Sequence, residues 1–425
     1  MTSTPSANGP SPDAIIIGGG LVGMTTALAL AAFGVRTGVI DAADLDATAE
    51  AAFDGRATAI ASASWRMFQA LGLADRLDGL ACPINEIRVT EGLAPRHLHF
   101  DGREAPAEAG GGEPLGHMVE NRHLRRALID AGRASEHIDV HAPARVEDVT
   151  REETGVTVTL EDGVQMRAPL LIAADGRRSR LREDAGIRTA RWQYRQTAIV
   201  GMIRHERDHG HIAFELFYPA GPFAILPMLP DDAATDDALP HRSAIVWTVD
   251  AKHAPAFLDL PERAFTHEIE KRIGGALGGV QLAATPSSYP LGFHHAARYT
   301  DERLALIGDA AHGIHPIAGQ GLNMGLRDAA ALAEVLGDGK SLGLDLGAPE
   351  VLERYSRWRG VDNLAVAAST DILNRLFGLP TKTMSTIRSV GLGAVQRIAP
   401  LKTFFMTEAR GASGDLPQLL RGECP

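Results

Sequence analysis

The sequence predicts an α/β fold in which a mainly antiparallel β-sheet is inserted into a βαβ domain and a helical region follows at the carboxyl end. Three observations carry this prediction. A short apolar run at 14–17 leads through a glycine-rich turn into a helical pattern. Short alternating strands dominate the middle of the chain. From Leu322 onward the pattern is mostly helical.

Composition sets the broad class of the protein. With 425 residues, 45% of them hydrophobic, the chain can bury a large core and divide into two or three domains. The formal charge of −11 argues against nucleic acid as a partner and against attraction to anionic lipid, so any membrane contact is expected to be apolar. Two distant cysteines suit a reducing, cytoplasmic location. No uninterrupted apolar run reaches the length of about eighteen residues that a spanning helix needs.

A βαβ unit opens the chain. Its predicted strand, helix and strand are Ala14–Ile17, Leu21–Phe33 and Arg36–Ile40. In the turn, Gly18 would make a tight bend, Gly20 would let a pyrophosphate reach the backbone, and Gly23 would let the helix pack close to the strand. Asp41, eighteen residues beyond Gly23, would accept hydrogen bonds from an adenosine ribose. The pattern therefore predicts a dinucleotide site and disfavours a 2′-phosphate.

The remaining elements follow in order. Helices are predicted at Ser62–Leu71 and Asn121–Ala131, and a buried strand at Ala168–Ala173 runs towards Asp175. Further strands are predicted at Thr197–Ile203, Ile212–Tyr218, Phe223–Met228, Ser243–Val249 and Arg303–Ile307. We expect a discontinuous first domain (1–82, 115–186 and 292–345), a β-sheet substrate domain (83–114 and 187–291) and a carboxy-terminal helical region (346–425).

A second glycine-rich segment lies nearly three hundred residues after the first. Gly308-Asp309-Ala310-Ala311-His312 precedes Gly319-Gln320-Gly321-Leu322-Asn323, which opens a helix and leaves backbone N–H groups free. If both segments hold one ligand, a dinucleotide spans a domain assembled from distant pieces of sequence. Spacing alone does not separate a nicotinamide from a flavin dinucleotide.

Several further segments carry a resemblance to a known family. Ala174–Arg182, with its Asp-Gly pair, resembles a motif of the FAD-dependent aromatic hydroxylases that share the para-hydroxybenzoate hydroxylase fold, and Arg303–His312 resembles their second flavin motif. Asp54–Ile60, Met118–Arg122 and His315–Leu326 resemble segments of the ubiquinone-biosynthesis hydroxylases within that family. The resemblance covers nearly the whole chain and implies a Rossmann-like FAD-binding domain of the para-hydroxybenzoate hydroxylase type.

The resemblance also implies which residues hold the cofactor. In that family the residues matching Arg56, Asn121 and Arg122 lie along the dinucleotide, and the one matching Asp309 binds the ribityl hydroxyls. The later helix start would face the pyrimidine end of the flavin with its N–H groups. The expected FAD-binding residues are Gly18, Gly20, Leu21, Val22, Gly23, Asp41, Arg56, Asn121, Arg122, Asp175, Asp309, Pro316, Gly319, Gln320, Gly321, Leu322 and Asn323.

Neither a metal site nor a catalytic side chain is predicted. His312 and His315 are three residues apart, but a zinc site needs further ligands, and this segment already matches a flavin motif without metal. We expect His294, His295 and the histidines of Asp208–His211 to lie at the surface. No general base can be named from the sequence.

The resemblance implies a monooxygenase. In such enzymes reduced FAD reacts with O2 to form a C4a-hydroperoxide, and here the expected substrate is the aromatic ring of a polyprenylated phenol. Because the chain has no second βαβ fingerprint, the reductant is expected to be NAD(P)H that docks transiently or a protein electron donor. Two alternatives stay open: hydroxylation of a soluble aromatic acid, or a flavin-bound subunit without turnover in a quinone-biosynthesis complex.

The carboxy-terminal region carries a set of large apolar side chains: Leu373, Leu376, Phe377, Leu379 and Phe404-Phe405-Met406. They could line a channel for a polyprenyl tail or touch the inner face of a membrane, and core packing explains them equally well. The sequence thus leaves open a peripheral membrane contact of a cytoplasmic protein and association with other ubiquinone-biosynthesis proteins.

Overall fold

The computed structural model describes residues 11–50, 54–95, 97–104, 111–230, 239–314, 320–360, 362–363 and 399–425, and it confirms the predicted α/β class. The strands are β1 Ala14–Ile17, β2 Thr37–Ile40, β3 Ala57–Ala61, β4 Ala81–Ile84, β5 Glu86–Glu91, β6 His97–Asp101, β7 Gly116–Glu120, β8 Ile138–His141, β9 Val146–Glu152, β10 Gly155–Leu160, β11 Gln165–Ala168, β12 Leu170–Ala173, β13 Thr189–His205, β14 Ile212–Tyr218, β15 Gly221–Met228, β16 His241–Asp250, β17 Val280–Leu282, β18 Ser287–Ala296, β19 Thr300–Asp301, β20 Leu304–Leu306 and β21 His312–Gly313.

The described helices precede, connect and follow these strands. They are α1 Leu21–Ala32, α2 Leu45–Glu50, α3 Ser62–Ala70, α4 Leu73–Arg76, α5 Asn121–Ala134, α6 Arg180–Asp184, α7 Ala254–Leu258, α8 Glu262–Ile273 and α9 Gln320–Ser341. Residues 349–360, Ala399–Ala409 and Gln418–Arg421 are also helical.

A six-stranded sheet holds the amino-terminal βαβ unit, in the order β19-β20-β12-β1-β2-β8. Apart from the β19–β20 pair, neighbouring strands run parallel. Ile16 of β1 lies between Ile172 and Val39, and all three side chains are fully buried. The nearly continuous apolar sequence of these strands is what a parallel sheet with two covered faces requires. A separate three-stranded sheet has the order β11-β10-β9.

A nine-stranded sheet dominates the middle of the chain, in the order β21-β18-β13-β16-β15-β14-β5-β6, with β17 paired to β13. Its strands are antiparallel except for the parallel pair of β14 and β5. One face packs against α8, where Phe265 and Ile269 join a buried cluster with Phe223 and Trp247. Side chains alternate along each strand, so the other face is left for a second layer.

That second layer is a three-stranded sheet in the order β3-β7-β4. Cys82 of β4 and Met118 of β7 are fully buried in a cluster with Met202 and Ala244 of the large sheet. In the same region Arg242 Nη2 donates to Glu120 Oε1 at 2.8 Å, and neither side chain is more than 5% exposed. A buried ion pair thus links the two sheets, as do their apolar contacts.

The apolar carboxy-terminal residues are only partly covered by the described ranges. Leu373, Leu376, Phe377, Leu379 and the Phe404 side chain lie outside them. Met406 is 4% exposed and packs in the cluster between the large sheet and the three-stranded sheet, with Phe405 against it. Among the residues described, no helix is both long and apolar enough to cross a bilayer.

Candidate flavin site

Four of the predicted site segments follow four neighbouring parallel strands. Gly308, Asp175, Gly18 and Asp41 come after β20, β12, β1 and β2 in the order in which these strands lie side by side. Because the carboxyl ends of parallel strands meet at one edge of a sheet, the fold brings together residues as far apart in sequence as Gly18 and Gly308. This edge is the candidate cofactor site.

The three glycines of the first turn occupy different environments. Gly18 has φ of +108°, and a Cβ there would lie 2.4 Å from the Ala174 carbonyl oxygen. A Cβ on Gly23 would lie 1.8 Å from the Gly18 carbonyl oxygen, so only glycine allows this close packing of helix on strand. A Cβ on Gly20 would meet nothing within 4 Å. Gly20 is the N-cap residue of α1, so this open space lies beside a helix amino end.

Asp41 closes the same turn from the next strand. Its Oδ2 accepts from Gly19 N at 2.6 Å and its Oδ1 accepts from Ala43 N at 2.8 Å. A cavity of about 330 Å³ lies beside it, lined among others by Gly20, Asp41 and Arg56. Each carboxylate oxygen can accept a further hydrogen bond, as the adenosine ribose of a dinucleotide would require.

The predicted residues of β3 and α5 lie close together. The Asn121 N–H donates to the Arg56 carbonyl at 3.1 Å, and the Thr58 hydroxyl donates to Asn121 Oδ1 at 2.6 Å. Arg56 is paired with Asp54, yet its side chain is 54% exposed. Arg122 Nε donates to Glu120 Oε2 at 2.8 Å. Arg56 therefore reaches the cavity, whereas Oδ1 of Asn121 is bonded to Thr58 and links the start of α5 to β3.

The second glycine-rich segment presents Asp309 at the surface of the site. The Asp309 carboxylate is 51% exposed, with Arg177 Nε 3.8 Å from its Oδ2. His294 Nε2 lies 2.8 Å from the Asp309 carbonyl oxygen, which holds the backbone of this turn. Val22 joins the two segments, because a Cβ on Gly308 would lie 3.1 Å from Val22 Cγ1 and one on Gly325 would lie 2.8 Å from Val22 Cγ2.

Asp175 lies between these segments with a partly unsatisfied carboxylate. Its Oδ2 accepts from Leu181 N at 3.4 Å, and its buried Oδ1 has no hydrogen-bond partner among the described residues. Burial raises the pKa of this carboxyl above its ordinary value. A polar ligand at this edge of the sheet would satisfy the remaining oxygen.

At the start of α9 the side chain of Asn323 faces β3. Its Oδ1 accepts from Ala61 N and its Nδ2 donates to Ala59 O, both at 2.9 Å. Asn323 is 3% exposed, so this amide positions the helix start and is not free for a ligand. Gly321 has nothing within 4 Å of where a Cβ would be. Gln320 begins the helix and Leu322 packs on the main core, whereas Pro316 and Gly319 lie outside the described residues.

The expectation of surface histidines is wrong at two positions. His294 is 4% exposed and positions Asp309, and His209 is 7% exposed with its Nε2 3.1 Å from the Met228 carbonyl oxygen. Both lie in or beside strands of the large sheet, where a polar ring is tolerated because a carbonyl accepts its N–H.

Comparison with known proteins identifies the family. Residues 12–360 match the family described as FAD binding domain. The chain is 46% identical over 428 residues to the ubiquinone hydroxylase UbiL of Rhodospirillum rubrum, covering 98% of this chain and 96% of that protein. It is 33% identical to the 3-demethoxyubiquinol 3-hydroxylase of Escherichia coli K12, covering 93% and 97%. The crystal structure of p-nitrophenol 4-monooxygenase PnpA from Pseudomonas putida DLL-E4 has a TM-score of 0.76 at 18% identity, over 96% of this chain and 99% of that chain, which shows a shared fold.

The chain belongs to the FAD-dependent ubiquinone-biosynthesis hydroxylases. It is therefore an FAD-dependent monooxygenase. The geometry fits this cofactor: open space beside Gly20, the unsatisfied Asp175 oxygen and the exposed Asp309 carboxylate lie along one edge of the sheet.

In this hydroxylase the flavin-motif turn is held by a residue that sequence reasoning missed. Asp328 of α9 is fully buried, and its Oδ2 accepts from Gly308 N at 3.0 Å and lies 2.5 Å from His312 Nε2. Arg359 Nε donates to Asp328 Oδ1 at 2.8 Å. Burial opposes ionisation of Asp328, but the charges of His312 and Arg359 hold its pKa well below the ordinary value. The signal was available, since Asp328 and its neighbour Arg327 are charged residues within the otherwise apolar stretch 324–333.

Proposed function

We propose that this protein hydroxylates the aromatic ring of a polyprenylated phenol in ubiquinone biosynthesis. The observation that carries the proposal is the 46% identity to a ubiquinone hydroxylase over 98% of the chain, together with the similarity to a 3-demethoxyubiquinol 3-hydroxylase. A shared fold with a p-nitrophenol monooxygenase does not favour a soluble aromatic substrate, because fold alone does not specify the substrate.

Bound FAD supplies the activation of O2 and the transfer of an oxygen atom to the ring. The protein residues hold and orient it. The amino end of α1 beside Gly20 would stabilise the pyrophosphate, Asp41 would bind the ribose, and Asp309 would bind the ribityl chain. Arg56, Asn121, Arg122 and Asp175 would complete the cofactor site from neighbouring elements.

The substrate ring is proposed to bind between the large sheet and β3. This region is apolar, and its partly buried side chains include Val89 and Leu226 of the sheet with Ala57 and Ala59 of β3. An apolar enclosure would exclude water from the reacting centre and accept a prenylated ring. Because β3 is bonded to Asn323, a ring bound there would lie beside the helix start that is proposed to face the flavin.

The test is the pattern of quinone intermediates in a deletion strain. Mass spectrometry should show less ubiquinone and an accumulated precursor that lacks one hydroxyl group. Complementation with the wild-type gene should restore ubiquinone, and a Gly20→Ala variant should not. Unchanged ubiquinone would contradict the proposal. Reductant-driven O2 uptake on addition of the accumulated precursor would exclude a subunit without turnover.

The reductant and cellular location form part of the proposal. We expect either NAD(P)H or a protein donor to reduce the flavin, and we expect a cytoplasmic protein that contacts the inner membrane face and other ubiquinone-biosynthesis proteins. Sedimentation with liposomes that contain the precursor tests the membrane contact. A protein that stays in the supernatant under all conditions would remove it. Flavin reduction by NADH or NADPH alone would remove the need for a protein donor.

A further inference from the structure

One carboxylate lies among aliphatic side chains in the middle of a face of the large sheet. Glu215 is in the middle of β14, where Phe214, Leu216 and Tyr218 face the α8 side. Alternation along the strand therefore turns Glu215 and Ala213 to the opposite face, and Ala213 belongs to the cluster that packs against β3, β4 and β7. Glu215 thus faces the region proposed above for the substrate ring.

Aliphatic side chains surround Glu215 on this face. Val89 of β5 and Ala224 of β15 are its direct partners, and Val246 and Val200 continue the same row across β16 and β13. Glu215, Val89, Val246 and Val200 are only partly buried although β14, β16 and β13 are interior strands of the sheet. The middle of this face is therefore accessible to a small molecule.

No described residue is in hydrogen-bond or ion-pair contact with the Glu215 carboxylate. Burial, with no compensating charge, raises the pKa of this carboxyl to about 7. The charged or titratable groups on the surrounding elements on this side are Glu91 of β5, Arg242 and Asp250 of β16, Glu120 of β7, Arg204 of β13, Tyr289 of β18, Cys82 of β4 and His211, whose Nδ1 lies 3.5 Å from Cys82 Sγ. The Ala399–Ala409 helix contributes Lys402, which is paired with Glu104.

The accessible carboxylate lies on the side of the sheet that packs towards the cofactor. Ala57 and Ala59 of β3 pack on the same cluster as Val89 and Leu226, and the backbone of β3 is bonded to Asn323 at the start of α9. A planar ring held between the sheet and β3 in the middle of this face would have its polar substituent nearest to Glu215, since the direct cross-strand neighbours of Glu215 are aliphatic.

We propose that Glu215 accepts the proton of the phenolic hydroxyl of the substrate, which makes it a catalytic residue of the hydroxylation. This inference rests on the proposed function. In the step the phenol O–H bond breaks, a new O–H bond forms on a carboxylate oxygen of Glu215, and the phenolate oxygen keeps the electron pair. The phenolate ring is more electron-rich and reacts faster with an electrophilic oxygen donor. The proton returns to solvent after product leaves.

The experiment compares wild type, Glu215→Gln, Glu215→Asp and the control Glu147→Gln, a carboxamide change at an exposed residue of β9. The flavin-loaded proteins are assayed with the precursor that accumulates in the deletion strain. Glu215→Gln should lower kcat about 100-fold, the scale of a positioned general base, with KM changed less than about threefold. Wild-type kcat should rise with pH through about 7, the variant should lose that rise, and Glu215→Asp should recover part of the rate.

A binding measurement keeps the proposal testable without turnover. The Kd of 2-octylphenol for the flavin-loaded protein, measured by quenching of flavin fluorescence, should fall as the pH rises through about 7 in wild type and in Glu147→Gln, because the phenol O–H then donates to an ionised carboxylate. The Kd should not change with pH in Glu215→Gln. Equal activity, an equal pH profile and an equal pH dependence of the Kd in Glu215→Gln and Glu147→Gln would overturn the proposal. If wild-type protein itself forms no hydroxylated product, the proposed function fails, whereas the pH dependence of the Kd still reports on Glu215.

Discussion

Two glycines of one turn should respond to the same substitution in opposite ways. Gly20→Ala places a methyl group where no protein atom lies within 4 Å, on a backbone with φ of −69° and ψ of −172° that any residue adopts. Gly23→Ala places a methyl carbon 1.8 Å from the Gly18 carbonyl oxygen, which is backbone and cannot move aside freely.

The magnitudes follow from these contacts. Gly20→Ala should leave the free energy of unfolding of the cofactor-free protein unchanged or raise it by about 0.4–1 kcal/mol, because alanine has fewer unfolded conformations. Its methyl group occupies the space that the pyrophosphate needs, so the Kd for FAD should rise at least about tenfold, or about 1.4 kcal/mol. Gly23→Ala should lower the free energy of unfolding by about 1–3 kcal/mol or more, the cost of overpacking.

Urea denaturation of cofactor-free protein measures stability, and quenching of FAD fluorescence on titration measures affinity. Gly360→Ala is the control, since its nearest neighbour would be Tyr299 at 4.0 Å and it lies in the helix at 349–360. It should keep wild-type FAD affinity. Wild-type affinity in Gly20→Ala would show that the pyrophosphate does not lie at this turn. Wild-type stability in Gly23→Ala would refute the close packing of α1 on β1.

Three further predictions concern buried charges. Arg242→Met removes the inter-sheet partner of Glu120, which stays paired with Arg122, and should lower the free energy of unfolding at pH 7 by about 1–3 kcal/mol. Adding Glu120→Gln should recover part of this loss, and an unchanged urea midpoint would contradict the prediction. Asp328→Asn should lower the free energy of unfolding at pH 7 by about 3–5 kcal/mol and raise the Kd for FAD, both measured as for the glycine variants. Because the Asp328 pKa is held well below its ordinary value, this stabilisation should persist down to about pH 4 and be lost only in more acidic buffer. Glu215→Gln should unfold at a higher temperature than wild type above pH 7 and at the same temperature below about pH 4. The reason is that burial raises the pKa of Glu215 to about 7, so the folded wild type loses stability as this carboxyl ionises. The same difference in melting temperature between variant and wild type at both pH values would refute that sign.

The sequence was sufficient to predict the cofactor edge. The steric roles of Gly18 and Gly23 and the position of Asp41 after β2 could be inferred because they depend on local geometry within one βαβ unit, whereas contact of Gly20 with a pyrophosphate stays a prediction. The family segments extended the same inference to Asp175 and Asp309, which the parallel strands β12 and β20 then place at the same edge.

The roles of other residues depend on contacts between elements far apart in sequence. Asn323 matches a flavin segment, yet its amide is bonded to β3 more than 250 residues earlier. His294 was expected at the surface and instead holds the backbone of Asp309. A sequence pattern specifies which residue type stands at a position, and it does not specify which strand will lie opposite it.

What the amino-acid order determined by itself is therefore the βαβ unit, the strand-rich middle and the glycine-rich turns proposed to hold the cofactor, because these follow from backbone periodicity and from glycine sterics. Only the tertiary structure decided that Asp328 is a buried anion beneath the flavin motif and that Glu215 is a carboxylate whose direct neighbours on its sheet face are aliphatic. Both are acids in largely apolar segments, and whether such an acid points to water, to a counter-charge or into a cleft is set by the packing of distant strands and helices.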